Sequence, residues 1–159
     1  GFPGTYARTP DDIVTSRQLK EGSHAVPFGA CLMTNTDNTY SPVDGTFTAA
    51  RFGGVALRIV KQAVSYADQN ETAYNAGEMV SAINRGAVVV KCNSGTPTAG
   101  GKVYVRIQAN ASVVGGVVGG FEAAADGENT VELTNVQWTN GYVDANGIAE
   151  ITILTRLNA

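Results

Sequence analysis

Val103-Tyr104-Val105-Arg106-Ile107-Gln108 alternates apolar and polar side chains without a break. A period of two puts successive side chains on opposite faces of an extended chain, so Val103, Val105 and Ile107 share a dry face and Tyr104, Arg106 and Gln108 a wet one. The pattern returns where Ala149, Ile151 and Ile153 alternate with Glu150, Thr152 and Leu154, and more briefly where Val55, Leu57 and Ile59 oppose Ala56, Arg58 and Val60. Val26, Phe28, Ala30 and Leu32 would face one way in the same manner. Asp44-Gly45, Asp126-Gly127, Asn140-Gly141 and Asn146-Gly147 punctuate these runs, and such pairs supply the positive φ of two-residue hairpin turns. Residues 79–83 and 87–92 flank Asn84-Arg85-Gly86, which has the length and the glycine of a three-residue hairpin loop; a helix over 78–84 is the competing reading. No amphipathic segment is long enough for the crossover helices of βαβ units. The expected fold is all-β, a single β-barrel or jelly-roll-like sandwich domain.

The length of 159 residues suits one domain with a core large enough to need no metal or disulfide staple. Residues 24–159 are expected to form that β-domain. Residues 1–23, with Pro3, Pro10, Asp11 and Asp12 and no sustained period, read as an extended N-terminal arm. A short helix over 12–20, capped by Asp11 or Asp12 and stopped by Gly22, is a weaker option because Val14 and Thr15 lower its propensity. Charged residues are only 16% of the chain and 19 residues are glycine, which suits tight turns and neutral polar surfaces. A formal charge of −3, thinly scattered, builds no basic stripe for a nucleic-acid backbone. The weakly polar stretch 111–121 is far too short to cross a bilayer, and no basic segment followed by an apolar one opens the chain. The lack of an initiator methionine is expected to reflect processing or trimming.

Catalytic equipment is not expected. Gly95 and Gly101-Lys102 are spaced one residue too far apart for a phosphate-binding loop, and Val103 stands where Ser or Thr is needed. Residues 115–120 miss the dinucleotide fingerprint at Val117. His24, the only histidine, has Ser23 beside it but no nucleophile elbow, and reads as a solvent-facing linker residue. Glu122, Asp126, Glu128 and Glu132 read as a solvated rim rather than a glycosidase pair. No zinc spacing or complete EF-hand occurs, and Asp37 and Asp144 are explained by Asx turns. No metal or cofactor is therefore assigned. Cys92 shares a face with Val88 and Val90 and reads as a small core hydrophobe, while Cys31 is left open. The doublet Val113-Val114-Gly115-Gly116-Val117-Val118-Gly119-Gly120 suggests bulges or close backbone approach, and would be sticky if exposed without a covering partner. Aromatic residues concentrate interface energy. Phe2 and Tyr6 on the arm, and Trp138 and Tyr142 beside the Asn140-Gly141 turn, are therefore candidate contacts, with a core position the equal alternative for Trp138.

Gly1-Phe2-Pro3-Gly4-Thr5-Tyr6, Ala25-Val26-Pro27-Phe28-Gly29, Phe52-Gly53-Gly54-Val55-Ala56, Gly77-Glu78 and Arg85-Gly86-Ala87-Val88 together resemble the structural cement proteins of tailed bacteriophages. The resemblance lies in the order and spacing of these landmarks over the first ninety residues. It implies an all-β, non-enzymatic decoration protein on the outer surface of the virion, clamping neighbouring major capsid subunits against the pressure of packaged DNA. The partners it implies are the major capsid protein and further copies of this chain, a homotrimer first and a homodimer second. On that reading the arm drapes over a neighbour, with Phe2, Tyr6, Ile13 and Val14 burying apolar area and Arg8 or Arg17 pairing with capsid carboxylates. A carbohydrate-binding or adhesion module, supported by Trp138 and Tyr142, and a minor head or tail virion protein are the alternatives.

Overall fold

Residues 79–91 form one unbroken strand, β7 (Met79–Lys91), and the rest of the chain is arranged around it. A computed structural model describes residues 1–8, 11–61 and 65–156. Before β7 come β1 (Ile13–Gln18), β2 (Val26–Pro27), β3 (Cys31–Thr34), β4 (Tyr40–Pro42), β5 (Phe52–Ala56), the single helical turn α1 (Tyr66–Gln69) and β6 (Ala73–Tyr74). After it come β8 (Lys102–Arg106), β9 (Phe121–Glu122), β10 (Thr130–Trp138) and β11 (Ile148–Ile153). Every named strand pair is antiparallel. The main sheet runs β4-β3-β5-β7-β11-β10-β8-β9, with β1 also on β7, and curls into a half-barrel; β2 and β6 form a separate pair. The expected all-β fold is therefore the one observed.

Both ends of the sheet turn back on the chain. Leu19, just past β1, bridges Tyr40 in β4, and Cys92, just past β7, bridges Phe121 in β9. One ring of pairings thus runs β1-β7-β5-β3-β4, and a second runs β7-β11-β10-β8-β9. The first encloses Leu19, Phe28, Leu32, Tyr40, Ala56, Tyr74, Val80 and Ala82, with the Phe28 and Tyr74 rings edge to face at 5.1 Å. The larger cluster gathers Val103, Val105, Phe121, Leu133, Trp138, Ile151 and Ile153 with Val55, Ile83, Val88 and Val90. The dry faces expected for 103–107 and 149–153 are largely those that pack here.

β7 feeds the larger cluster from both of its halves because it changes phase. Ile83 enters the larger cluster from an odd position and Val88 and Val90 from even ones. The surplus residue is absorbed at Asn84: across the ladder Val14 faces Ile83 and Ile13 faces Arg85, leaving Asn84 unmatched. Gly86 follows at φ +112°, and a Cβ there would lie 2.6 Å from the Asp11 carbonyl oxygen. Asn84-Arg85-Gly86 is therefore a β-bulge rather than the expected hairpin loop. Its polar and glycine residues resemble a turn because a bulge makes the same demand for positive φ.

Two other expectations also give way. Residues 13–18 form β1, not a helix, because Ile13, Val14 and Thr15 lose little rotamer freedom in a strand and find the open side of β7. β1 pairs with β7 along its whole length, and Leu19, 0% exposed, joins a core cluster, so this part of the N-terminal segment is integral to the sheet. None of the four Asp-Gly and Asn-Gly pairs makes a two-residue hairpin. Asx turns stand at or beside three of them instead: Asp44 Oδ1 accepts from the Thr46 amide at 2.8 Å, Asn140 Oδ1 accepts from the Tyr142 amide at 3.0 Å, and Asp144, just before Asn146-Gly147, accepts through Oδ1 from the amides of Asn146 and Ile148 at 2.8 and 2.9 Å.

Gly86→Ala should cost at least about 2 kcal/mol in urea unfolding, since strained φ and a backbone clash act together. Gly45→Ala, where a Cβ meets nothing within 4 Å and φ is not positive, should stay within about 0.5 kcal/mol of the parent. Equal effects of the two substitutions would show that the bulge does not constrain β7.

Candidate functional site

Two surface features are built by unusual local chemistry. The first is the N-terminal segment. Gly4 donates its amide to the Val89 carbonyl at 2.7 Å, Val89 returns its own to Thr5 at 3.0 Å, and Ala7 donates to Ala87 at 3.2 Å. Gly4 and Gly29 both have positive φ, and a Cβ on Gly4 would sit 2.8 Å from the Gly29 nitrogen and 2.7 Å from the Ala56 oxygen. Only glycines permit that approach. The Arg58 amide closes the seam on the Gly4 carbonyl at 2.7 Å, and its guanidinium lies over the Phe2 ring at 4.6 Å and the Phe28 ring at 5.9 Å. Phe2 is thereby held in place while 64% exposed.

The second feature is the connection over residues 107–120, between β8 and β9. Arg106, at the end of β8, is 0% exposed, and its guanidinium forks onto Glu122 at 2.6 and 2.9 Å. A third donor reaches Asp126 at 2.8 Å, and the same nitrogen also donates to the Gln108 carbonyl at 3.2 Å. Asp126 in turn accepts from the side-chain amide of Asn110 at 2.9 Å, and Asn110 Oδ1 accepts from the Ser112 amide at 3.0 Å. The Arg106 guanidinium and the other donors hold the Asp126 carboxyl below its ordinary range. Gly116 rests on the guanidinium, where a Cβ would lie 2.7 Å from Nε. Gly119 donates to the Arg106 carbonyl at 2.8 Å and accepts from the Cys31 amide at 2.9 Å. The ion cluster thus fastens a long connection at several points and leaves Val114, Val117 and Val118 exposed.

This cluster corrects two expectations. Arg106 belongs to the wet side of its strand by period, yet the 107–120 connection covers that side. Glu122, expected on a solvated rim, is buried with both oxygens engaged by Arg106. Glu132, by contrast, stays near the surface and pairs with Lys102 at 3.3 Å. The Ser23 hydroxyl donates to the Lys20 carbonyl at 2.6 Å rather than to His24, which is exposed.

The candidate contact residues are dispersed. Phe2, Tyr6, Val14 and Tyr142 are exposed, and Ile13 is half-buried in β1. Arg8 is bound to Glu150 at 2.9 Å, and Arg17 lies over the Tyr40 ring at 5.5 Å. Trp138 is fully buried in the larger core cluster, which removes it from any contact surface and separates it from Tyr142. Its neighbouring turn residues suggested exposure, but Trp138 is the last residue of β10, where its amide and carbonyl pair with Gly101 and Gly100. Among the described residues no group of three or more His, Cys, Asp or Glu side chains could hold a metal ion, and no helix is long and apolar enough to cross a membrane.

Residues 1–153 match the family described as XM1 gp53 minor capsid protein. The chain belongs to that family. A chain from the solved structure "The capsid of Myoviridae Phage XM1" superposes with a TM-score of 0.70, covering 95% of this chain and 88% of that one at 12% identity. No curated protein sequence matches this chain. The protein is thus a tailed-phage capsid-associated structural component, with a virion location. Several of the landmarks that carried the sequence resemblance also meet in space: Gly4, Gly29, Ala56 and Ala87 share the seam at the N-terminal segment, and Gly86 forms the bulge.

Removing Arg106 from this minor capsid protein would strand a buried carboxylate, so Arg106→Ala should cost about 3–5 kcal/mol in urea unfolding. Arg106→Met combined with Glu122→Leu should recover much of that loss, because paired replacement leaves no buried charge. Asp126, Asp11, Asp37, Asp44 and Asp144 are all held below their ordinary values by hydrogen bonds, with nearby cations adding in each case. Unfolding therefore takes up protons near the ordinary aspartate pKa of about 3.9, and their stabilisation is complete above it and lost as pH falls through the lower folded values. The urea midpoint should hold from pH 7 to pH 5 and drop below about pH 4.

Proposed function

We propose that this protein is a cement or decoration component bound to the outer surface of the icosahedral shell, clamping neighbouring major capsid subunits against internal DNA pressure. Membership of a minor capsid family over nearly the whole chain carries the reading. The physical features agree with it. The rings of strands make a stiff body, and the N-terminal segment presents Phe2 and Tyr6 from a hydrogen-bonded seam rather than from a loose tail. A rigid aromatic anchor pays little ordering entropy on binding. In this role Phe2 and Tyr6 are the primary contacts, and Ile13, Val14 and Tyr142 add area. Arg8 and Arg17 reach capsid carboxylates only by leaving Glu150 and Tyr40, so they play the lesser part.

The assembly we favour is a cyclic trimer at threefold or quasi-threefold positions, with a twofold dimer second. Several weak contacts made by one oligomer gain avidity that none has alone. The glycan-binding alternative draws no support from a Trp138 buried away from Tyr142.

Quantitative mass spectrometry of gradient-purified virions should give a molar ratio to the major capsid protein near one or a simple fraction such as one half. A trace ratio would assign the protein to a minor head or tail position instead. Particles carrying Phe2→Ser with Tyr6→Ser should lose the protein on washing and release DNA at lower temperature than the parent, while the isolated variant unfolds at the parent's urea midpoint. Full retention on the shell would remove the N-terminal segment from the contact.

A further inference from the structure

We infer that the valine loop over residues 113–118 is a second contact, seated on an uncharged apolar patch of a capsid-shell subunit. The inference rests on the cement reading and names a surface that reading does not require. Connections longer than about 12–15 residues without regular structure are uncommon and usually functional. This one, 107–120, carries no charged residue. It is also held in one shape, by Asn110 on Asp126, Gly116 on Arg106 and Gly119 on Cys31. A buried ion cluster costs desolvation and gives little net stability, so bracing a surface loop with one gains chiefly a fixed shape. What that shape presents is Val114, Val117 and Val118, 93%, 55% and 40% exposed.

Charge and area identify the occupant. A loop without charges over its whole length has nothing to pair with a charged partner, and burying its valines against a polar surface would leave that surface's groups unsatisfied. The three valines together offer on the order of 300 Å², well short of the ~800 Å² per partner of a stable interface. A dimer in dilute solution built on this loop would be weak. A shell that already holds the molecule through another contact supplies the missing effective concentration. Beside the loop, Val118 walls a groove of about 550 Å³ whose lining includes Val26, Pro42, Val43 and Ile107, with His24, Asp44 and Gln108 among them, so the apolar footprint continues into it only in part.

The test is add-back of purified full-length protein to expanded shells stripped of it, read by co-sedimentation. Val114→Asp with Val117→Asp should bind roughly tenfold or more weakly than the parent, with an unchanged urea midpoint and an unchanged near-ultraviolet spectrum from the buried Trp138. Parent-like binding by this variant would overturn the loop assignment while leaving the cement reading standing. Failure of the parent itself to bind shells would overturn both. A shift in oligomeric state of the free variant by analytical ultracentrifugation would make the occupant a second copy and overturn the shell assignment. A photoreactive group on Val114→Cys should join the protein to a capsid subunit, and a crosslink only between copies of this chain would equally overturn it.

Discussion

The structure depends on a single surplus residue in β7. A strand whose side chains alternate strictly can feed a given core from one parity only. β7 feeds the larger cluster first from Ile83 and then from Val88 and Val90, and the bulge at Asn84 with Gly86 makes that possible. The first half of the strand lies between β1 and β5, and the second half pairs with β11 and with residues 4–7. Without the phase change, Val88 and Val90 would turn away from the larger cluster that Ile83 enters. Both rings of pairings share this strand, so the two hydrophobic clusters are joined through a continuous backbone rather than through a linker.

Glycines make the second kind of constraint. Gly4 and Gly29 touch where two backbones need to come closer than any Cβ allows, and Gly54 likewise presses on the Ile83 carbonyl. These are places where strands cross or splice, which is why short glycine motifs far apart in sequence mark one shared architecture. The same chemistry appears at Gly116 over Arg106, where the missing side chain makes room for a guanidinium rather than a backbone.

The legible parts of the fold were those where one face is wet and one dry. β11 and most of β8 read directly from alternation, and Cys92, read as a small core hydrophobe on the face of Val88 and Val90, packs against the larger cluster while only partly buried. Three features resisted. Asn84-Arg85-Gly86 looks like a turn because bulges and turns recruit the same residues. Arg106 looks exposed because period reports only which face a side chain takes, and that face was then covered by a connection with no period of its own. The partners of Arg106 gave one faint signal, since Glu122 stands next to Phe121 in a short strand, a setting where an acid is buried only if paired. Trp138 illustrates the converse: flanking turn residues say where a strand ends, not whether its last side chain faces the core.

The distribution of charge links this architecture to its role. Arg8, Lys61, Arg85, Lys102 and Arg106 are all engaged by carboxylates of the same chain. Ion pairs satisfied internally are poor recruits for a partner, because each would be broken before another could form. The contact surfaces proposed above, the aromatic N-terminal segment and the valine loop, are both largely uncharged. Contacts of that kind gain little from long-range steering, so they associate slowly, and screening by salt leaves them nearly unaffected. In the proposed cement role, where the protein binds a shell once and then remains, a slow encounter costs little. Insensitivity to ionic strength then follows from where the chain has placed its charges.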